Sequence, residues 1–205
     1  MIVIGIAGRM RTGKTTLAVE LMNKLKLHAY NDVKIDSFAE ELRWQVAKSL
    51  WPKMPAPSAR FLLAEKEFEN KETIRPLMQA LGEAKRQFVS PDYWVDALAQ
   101  NHANGKTQVL IVDDVRHKNE ADWVLRNNGI LIRLNANEKT LMDRGANPER
   151  LAHYSETAMT TPSFGEMRYP HRVLTLDTGG LSPKGMLKAL WRFVEEMITE
   201  EDEEE

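Results

Sequence analysis

The residues best suited to chemistry lie near the start of the chain, in the segment Gly8-Arg-Met-Arg-Thr-Gly13-Lys14-Thr15. Its spacing fits the pattern G-x-x-x-x-G-K-[ST], in which glycines allow backbone N–H groups to turn towards phosphate oxygens. Lys14 would place its charge on the β- and γ-phosphates, and Thr15 would offer its hydroxyl to Mg²⁺. The segment therefore predicts a binding site for the phosphates of a nucleoside triphosphate.

Two acidic residues, Asp113 and Asp114, follow the apolar run 109–112. In enzymes with such a loop, an acid at the end of a neighbouring strand holds Mg²⁺ from the far side. Either aspartate is therefore a candidate metal ligand, in part through water; capping of the next helix is the alternative role for the one that is not used. Arg116 comes directly afterwards, and two roles stay open for it: binding a second anion, or an ion pair with Glu120 four residues on.

The segment 73–88 is predicted to form a helix, because its apolar residues recur at helical spacing and define one buried face. Those residues are Ile74, Leu77, Met78, Leu81 and Phe88. A second set falls on a stripe about 60° wide, turned well away from that face; its members are Arg75, Gln79, Gly82 and Arg86. Guanidinium and amide groups of this kind could bind a phosphate and read a base edge. A glycine inside a helix costs about 1 kcal/mol and indicates a close approach to the backbone, although an ordinary solvated helix face is the alternative.

The elements that would hold these residues alternate between short apolar runs and helical patterns. Strands are predicted at residues 2–6, 33–36, 109–112, 130–134 and 172–176. Capping, proline and glycine signals mark helix boundaries at Ser37 with Glu40, Trp51, Ser90-Pro91, Asn128-Gly129 and Ser182-Pro183. Apolar strands that alternate with helices predict a three-layer α/β/α fold with a mainly parallel sheet, whose ligands bind at the carboxyl ends of the strands.

Length and composition limit the class of protein. With 205 residues, the chain suits one domain, predicted at 1–199. Residues 145–170 contain three prolines and little periodicity, which predicts a mobile lid rather than core. Residues 200–205 are all acidic and are predicted to be a disordered tail. The rest of the chain is mildly basic but lacks a dense basic block, so stable nucleic-acid binding is not expected.

Residue content also excludes some kinds of site. The chain has no cysteine, which rules out disulfides and thiolate metal sites, and its five histidines lack metal-ligand spacing. No zinc site is therefore assigned. No apolar run approaches membrane-spanning length, and the first residues lack the pattern of a signal peptide. The expected location is the cytoplasm.

In combination, these motifs resemble the deoxynucleoside monophosphate kinases, a P-loop kinase family with many bacteriophage-encoded members. The segments that carry the resemblance are Gly8 to Thr16, Ser37-Phe-Ala39, Arg75 to Gly82, Asp92-Tyr-Trp94, Asp114-Val-Arg-His-Lys-Asn-Glu120 and His153-Tyr-Ser-Glu156. The resemblance implies a P-loop kinase with ATP on the loop, a helical acceptor-binding insertion at 38–104 and a closing lid at 145–170. Family members often carry an acid where this chain has Thr15, whose hydroxyl would still serve Mg²⁺.

The activity implied by this resemblance is transfer of the ATP γ-phosphoryl group to the 5′-phosphate of a deoxynucleoside monophosphate, with Mg²⁺ as cofactor. The residues expected to bind ATP are Gly8, Arg11, Thr12, Gly13, Lys14, Thr15 and Thr16. Those expected to bind the acceptor are Ser37, Phe38, Arg75, Gln79, Arg86, Trp94, Asp114 and Arg116. The charge of the transferring group would be neutralised by Lys14, Arg116 and two arginines beside the lid, Arg144 and Arg150.

Some alternatives stay open. The aromatic residues Phe38 and Trp94 could belong to the core instead, and the two lid arginines could be solvated loop charges. A P-loop kinase for another phosphorylated small molecule, such as phosphomevalonate, and a regulatory or DNA-processing ATPase are the rival functions. The sequence leaves open which bases are accepted, whether ribose is excluded, and whether the chain forms a homodimer. If the chain is virus-encoded, its cytoplasm is that of the host.

Overall fold

The structure is a computed structural model that describes residues 1–28, 30–53, 55, 71–159 and 161–202. The chain divides into two compact units. We call Met1–Ser37 with Asn104–Glu205 the core unit, and Phe38–Ala103 the helical unit. The helical unit corresponds closely to the predicted insertion at 38–104. Within the described ranges, every helix is too short or too polar to span a bilayer.

The core unit is built on a five-stranded parallel sheet. Its strands are β1 (Ile2–Gly8), β2 (Val33–Asp36), β3 (Val109–Val115), β4 (Ile130–Asn135) and β5 (Val173–Asp177). They lie in the order β2-β3-β1-β4-β5, and every neighbouring pair is parallel. The five predicted strands and the parallel α/β fold are therefore confirmed.

Helices follow the strands along the chain. In the core unit they are α1 (Lys14–Leu27), α5 (Lys118–Arg126), α6 (Glu138–Asp143), α7 (Pro148–Leu151), α8 (Tyr154–Thr157), α9 (Phe164–Arg168) and α10 (Pro183–Asp202), with a 3-10 turn at Pro170–Arg172. In the helical unit they are α2 (Ala39–Leu50), α3 (Lys71–Phe88) and α4 (Tyr93–His102). Helix α10 includes residues 200–202, so the prediction that these three residues are disordered is wrong. Residues 203–205 lie outside the described residues.

The hydrophobic core of the core unit forms because β1 has a neighbour on each side and helices pack against the sheet. Its residues are apolar without alternation, as a strand buried on both faces requires. Helix α1 buries Leu17, Leu21 and Leu25, and α10 buries Leu190 and Val194, in both cases four residues apart. Each such side chain contributes about 1.5 to 3 kcal/mol. This packing fixes where α1 starts relative to the end of β1.

The pairing of β1 with β3 contains one irregularity. Gly5 lies opposite Val112, whereas Ala7 lies opposite Val115, so β3 has one extra residue in this stretch. The stretch contains Asp113 and Asp114. An extra residue of this kind is a β-bulge, which re-aims the side chains beside it.

The described part of the helical unit is held by contacts among α2, α3 and α4. Trp94, on α4, is 2 % exposed, and its indole N–H donates to the carbonyl of Gly82 on α3 at 3.1 Å. A Cβ on Gly82 would lie 3.3 Å from Leu42 Cδ2 of α2. The amide of Gln45, also on α2, donates to the Tyr93 hydroxyl at 2.9 Å. Gly82 is therefore a packing position, at which α2 approaches α3 closely.

The predicted apolar face of α3 is only partly buried. Ile74 is buried, but Leu77 is exposed and Phe88, the last residue of the helix, is 78 % exposed. Periodicity identifies a face of a helix, but it does not reveal how much of that face a neighbouring element covers. The prediction that Leu77 and Phe88 are buried is wrong.

Two of the predicted helix starts are displaced. Helix α2 has Phe38 at its N-cap, one residue after Ser37, and Glu40 pairs with Arg43 at 2.8 Å. Ser90-Pro91 lie in a turn before α4, whose N-cap is Asp92. In both cases a tight turn occupies the positions that the capping signal assigned to the helix.

The other predicted boundaries are confirmed. Ser182 accepts the N–H of Gly185 at 3.1 Å, and Pro183 is the first residue of α10. Helix α2 ends at Leu50, before Trp51, and α5 ends shortly before Asn128-Gly129.

Candidate functional site

The predicted phosphate loop joins β1 to α1 with glycines at both ends. Gly8 has φ 150°, and a Cβ there would lie 2.6 Å from the carbonyl oxygen of Leu134. Gly13, the N-cap of α1, has φ 99°. Residues with a side chain rarely adopt such backbone angles, so the two glycines allow the sharp turns that the loop needs. The N-terminus of α1 consequently adjoins the loop, where its unpaired N–H groups favour an anion.

Lys14 lies over the inner side of this loop. Its ammonium donates to the carbonyls of Gly8 at 2.6 Å and of Arg9 at 2.9 Å. Lys14 as a whole is 8 % exposed. Thr12 is also buried, and its hydroxyl donates to the Arg9 carbonyl at 2.8 Å. Arg11 and Thr16, by contrast, are exposed. The loop is therefore organised around a buried cation.

Burial makes the charge of Lys14 unfavourable and lowers its pKa to about 8. The nearby Arg116 lowers the pKa further, whereas Glu156, Asp113 and Asp114 raise it. A buried ammonium in these surroundings gains from an additional anion, which a phosphate group would supply.

Asp113 and Thr15 fit a magnesium site. The Thr15 hydroxyl donates to Asp113 Oδ2 at 2.7 Å. Hydroxyl and carboxylate oxygens are the ligands that Mg²⁺ accepts, usually together with water and substrate phosphates. The described residues include no cluster of three or more His, Cys, Asp or Glu that would form a metal site made of protein groups alone. Of the two candidate acids, Asp113 is the one bonded to Thr15.

The guanidinium of Arg116 contacts a carboxylate other than that of Glu120, the ion-pair partner offered by the sequence. The side chain of Glu120 accepts the backbone N–H of Arg116 at 2.7 Å and that of His117 at 2.9 Å, so it caps α5. The guanidinium of Arg116 instead contacts Glu156. Burial opposes its charge, but the carboxylates of Glu156 and then Asp114 outweigh this and raise the pKa of Arg116.

Glu156 was not assigned a role from the sequence, although it lies in one of the segments that resemble the kinase family. Its Oε2 accepts the backbone N–H of Met10, in the middle of the phosphate loop, at 2.5 Å. Its Oε1 contacts Arg116, and its side chain is 5 % exposed. The two partners of Glu156 lie 146 and 40 residues away in the sequence. Periodicity and local motifs give no signal for contacts of that range.

The predicted lid is more ordered than its sequence indicates. Leu151 is buried, and its carbonyl accepts from Arg9 at 3.2 Å. Ser163 and Glu166 are buried and form a capping box at the start of α9. Glu166 also pairs with Arg133 of β4 at 2.5 Å. The expectation that this segment lies outside the core is therefore wrong for these residues, and its motion stays a prediction.

One of the two lid arginines lies beside the loop. Arg144 donates to the carbonyl of Thr178 at 2.6 Å, to its hydroxyl at 3.1 Å, and to the Arg11 carbonyl at 3.3 Å. The side chain of Arg150 lies outside the described residues. Arg144 thus braces the loop from the end of α6.

The candidate acceptor residues of the helical unit have different surroundings. Gln79 is exposed, and Arg75 and Arg86 are half-buried on the same helix. The close approach inferred at Gly82 comes from Leu42, so it does not require a ligand. Phe38 and Trp94 are each 2 % exposed, which favours the alternative that both are core residues. Ser37 is buried at the end of the first stretch of the core unit.

Comparison with known proteins places this geometry in a family. A family model described as an AAA domain matches residues 4–152, which include the phosphate loop, Asp113 and Arg116. The chain is similar in structure to APE1195, with 18 % identity, a TM-score of 0.47, and coverage of 95 % of this chain and 94 % of that one. It is also similar to TT1252 from Thermus thermophilus, with 17 % identity, a TM-score of 0.45, and coverage of 93 % and 96 %.

No curated protein matches the chain in sequence. The two structural similarities are too weak to carry an argument about function. The family match, in contrast, spans most of the chain and contains the loop whose geometry is described above. The chain therefore belongs to the AAA domain family, a family of nucleotide-binding P-loop NTPases that includes kinases.

Proposed function

We propose that the protein transfers the γ-phosphoryl group of ATP to the 5′-phosphate of a deoxynucleoside monophosphate, giving ADP and a deoxynucleoside diphosphate. The observation that carries this proposal is a second cation at the phosphate loop, the half-buried guanidinium of Arg116. Arg116 lies close enough to Lys14 to lower its pKa. Two like charges held close together are unfavourable unless anions lie beside them. The arrangement suits a reaction that brings together two phosphate-bearing molecules.

The transfer needs little covalent chemistry from the protein. An oxygen of the acceptor phosphate attacks the γ-phosphorus of ATP, the bond to the β–γ bridging oxygen breaks, and ADP leaves with that electron pair. Lys14 and Arg116 neutralise negative charge on the phosphoryl oxygens during this displacement, and one such arginine can contribute about 10³- to 10⁵-fold in rate. The loop N–H groups and the start of α1 hold the donor in position.

Thr15 and Asp113 would bind Mg²⁺ through their hydroxyl and carboxylate oxygens, which are joined by a hydrogen bond. The bound ion supplies charge neutralisation on the β- and γ-phosphates. Asp114, one residue further along the bulge, would act through its charge on Arg116.

For the acceptor we assign Arg75, Gln79 and Arg86 of α3. Their guanidinium and amide groups match a phosphate and the polar edge of a base. Neither Phe38 nor Trp94 is retained as a stacking residue, because both are buried. Arg144 is the retained lid arginine, since it already lies at the loop.

The proposal is tested by measuring ADP formation with each deoxynucleoside monophosphate, with the ribonucleotides, with phosphomevalonate and with DNA. Stimulation by one or more deoxynucleoside monophosphates, with the diphosphate as product, is expected. Stimulation by phosphomevalonate alone would identify a small-molecule kinase, and stimulation by DNA alone would identify a DNA-processing ATPase. Either result would refute the proposal.

The acceptor assignment is tested by Arg75→Ala. The loss of a hydrogen bond to a charged group costs about 1.5 to 3 kcal/mol, which predicts a fall of about 10- to 150-fold in kcat/KM for the acceptor. The Kd for ATP, measured without acceptor, should not change. Arg192→Ala is the matched control, because Arg192 is an exposed helical arginine paired with Glu196. If Arg75→Ala and Arg192→Ala have equal kinetics, Arg75 does not belong to the acceptor site.

A further inference from the structure

A carboxylate occupies the inner side of the phosphate loop. Glu156, on the single-turn helix α8, accepts the N–H of Met10 at 2.5 Å through one oxygen and contacts the guanidinium of Arg116 through the other. Both of its oxygens are therefore bound by groups of the candidate site. Its side chain is almost completely removed from solvent.

The groups that bind Glu156 are those that bind phosphate in proteins. Backbone N–H groups of a glycine-containing loop and guanidinium groups both donate to anionic oxygens. A carboxylate and a phosphate present the same kind of acceptor to them. A phosphate oxygen that accepts from Met10 or Arg116 would consequently occupy the position that Glu156 now holds.

The charge of Glu156 also compensates the buried Lys14 and the half-buried Arg116. Without Glu156, the carboxylates that still favour the charge of Lys14 are those of Asp113 and Asp114. Removing one partner of an ion pair leaves the other charge uncompensated, which is destabilising to the extent that this charge is shielded from water. Glu156 therefore stabilises the protein when no phosphate is bound.

We propose that Glu156 is a resident anion of the phosphate site, which the phosphates of the incoming nucleotide displace. Displacement frees the guanidinium of Arg116 and leaves it beside the phosphoryl group. Arg116 would thus become available only after the donor is bound. The inference rests on the proposed function only in requiring that phosphates bind at this loop, and it holds for any acceptor.

This competition makes an unusual prediction for Glu156→Gln, which keeps the shape of the side chain and removes its charge. The unliganded variant should unfold at a lower temperature than the wild type, because Lys14 and Arg116 lose their compensating charge. The same variant should bind Mg²⁺-ATP and inorganic tripolyphosphate more tightly, by about 10-fold or more, because no carboxylate competes with the phosphates.

The measurement is the Kd of each ligand by titration calorimetry, without any acceptor, together with the Tm of the free protein. Glu138→Gln is the matched control, since Glu138 contacts loop residue Arg9 at 3.4 Å but is mostly exposed. It should change neither quantity. Glu156→Asp keeps the charge on a side chain one methylene shorter, which cannot reach both partners, so its affinities should lie between those of Glu156→Gln and the wild type.

Weaker or unchanged binding by Glu156→Gln or Glu156→Asp, in protein that still unfolds cooperatively, would overturn the proposal and show that Glu156 only braces the loop. Failure of the wild type to bind tripolyphosphate or Mg²⁺-ATP would also overturn it. Failure of the kinase proposal is distinguishable, because the nucleotide would then bind with the predicted pattern while no deoxynucleoside diphosphate forms.

Discussion

The ammonium of Lys14 is buried, and this burial predicts how the stability of the protein changes with pH. Its pKa is about 8 in the folded protein, compared with 10.5 as the ordinary value, chiefly because burial removes the ammonium from water. One pKa unit corresponds to about 1.4 kcal/mol, so the charged form of Lys14 costs the folded protein about 3 kcal/mol. Between these two pKa values, the unfolded chain binds the proton and the folded protein releases it. Stability therefore rises with pH through this window.

The perturbation that isolates this effect is Lys14→Met, which keeps an apolar side chain of similar length and removes the titrating group. We expect the free energy of unfolding of the wild type, relative to that of the variant, to increase by about 2.5 kcal/mol between pH 7 and pH 10. The assay is urea unfolding of both proteins at half-unit steps of pH. Other titrating groups contribute equally to both curves and cancel in the difference.

Lys26→Met is the control, because Lys26 is an exposed residue of the same helix. Its stability curve should run parallel to that of the wild type. If the curve of Lys14→Met is also parallel to it, Lys14 does not titrate as its burial and its charged neighbours require, and the reasoning is refuted. Agreement would mean that the folded protein holds an unfavourable charge in this loop.

Two further changes test the metal site and the helical unit. Asp113→Asn should lower the affinity for Mg²⁺ by about 10- to 100-fold, because Asp113 bonds to Thr15. Asp114→Asn should leave this affinity nearly unchanged. Mg²⁺ titrations of activity would show the reversed order if Asp114 is the ligand. Trp94→Phe should reduce the stability by about 1 to 3 kcal/mol, since the indole hydrogen bond to the Gly82 carbonyl is lost and the smaller ring leaves a cavity, and urea unfolding measures this change.

Features that depend on local sequence could be predicted well. The strand at Val33–Asp36 has the predicted limits, and helix α3 includes the whole predicted range 73–88. Apolar runs without alternation identify strands buried on both faces, and the loop pattern fixes the turn between β1 and α1 through its glycines. The fold and the donor half of the site follow from these signals.

Features that depend on which elements meet could not be predicted in the same way. Leu77 was predicted to be buried and is exposed, whereas Trp94 was predicted to contact the acceptor and is buried. Neighbouring helices decide which of these side chains are covered. The side chain of Arg116 had two plausible partners by sequence, and it contacts a third, Glu156, 40 residues away. Which of Asp113 and Asp114 bonds to Thr15 depends on a contact 98 residues apart in the sequence, which no single segment contains.

That register has a consequence for how the protein can vary. In a regular strand, adjacent side chains point to opposite faces of the sheet, so two neighbouring aspartates would serve different surroundings. The extra residue in β3 lets both carboxylates act on the same lysine while only Asp113 bonds to Thr15. A deletion of either aspartate would leave strands that can still pair regularly. The sheet would therefore tolerate this deletion, whereas the contacts of these carboxylates with Lys14 and Thr15 would be lost or changed.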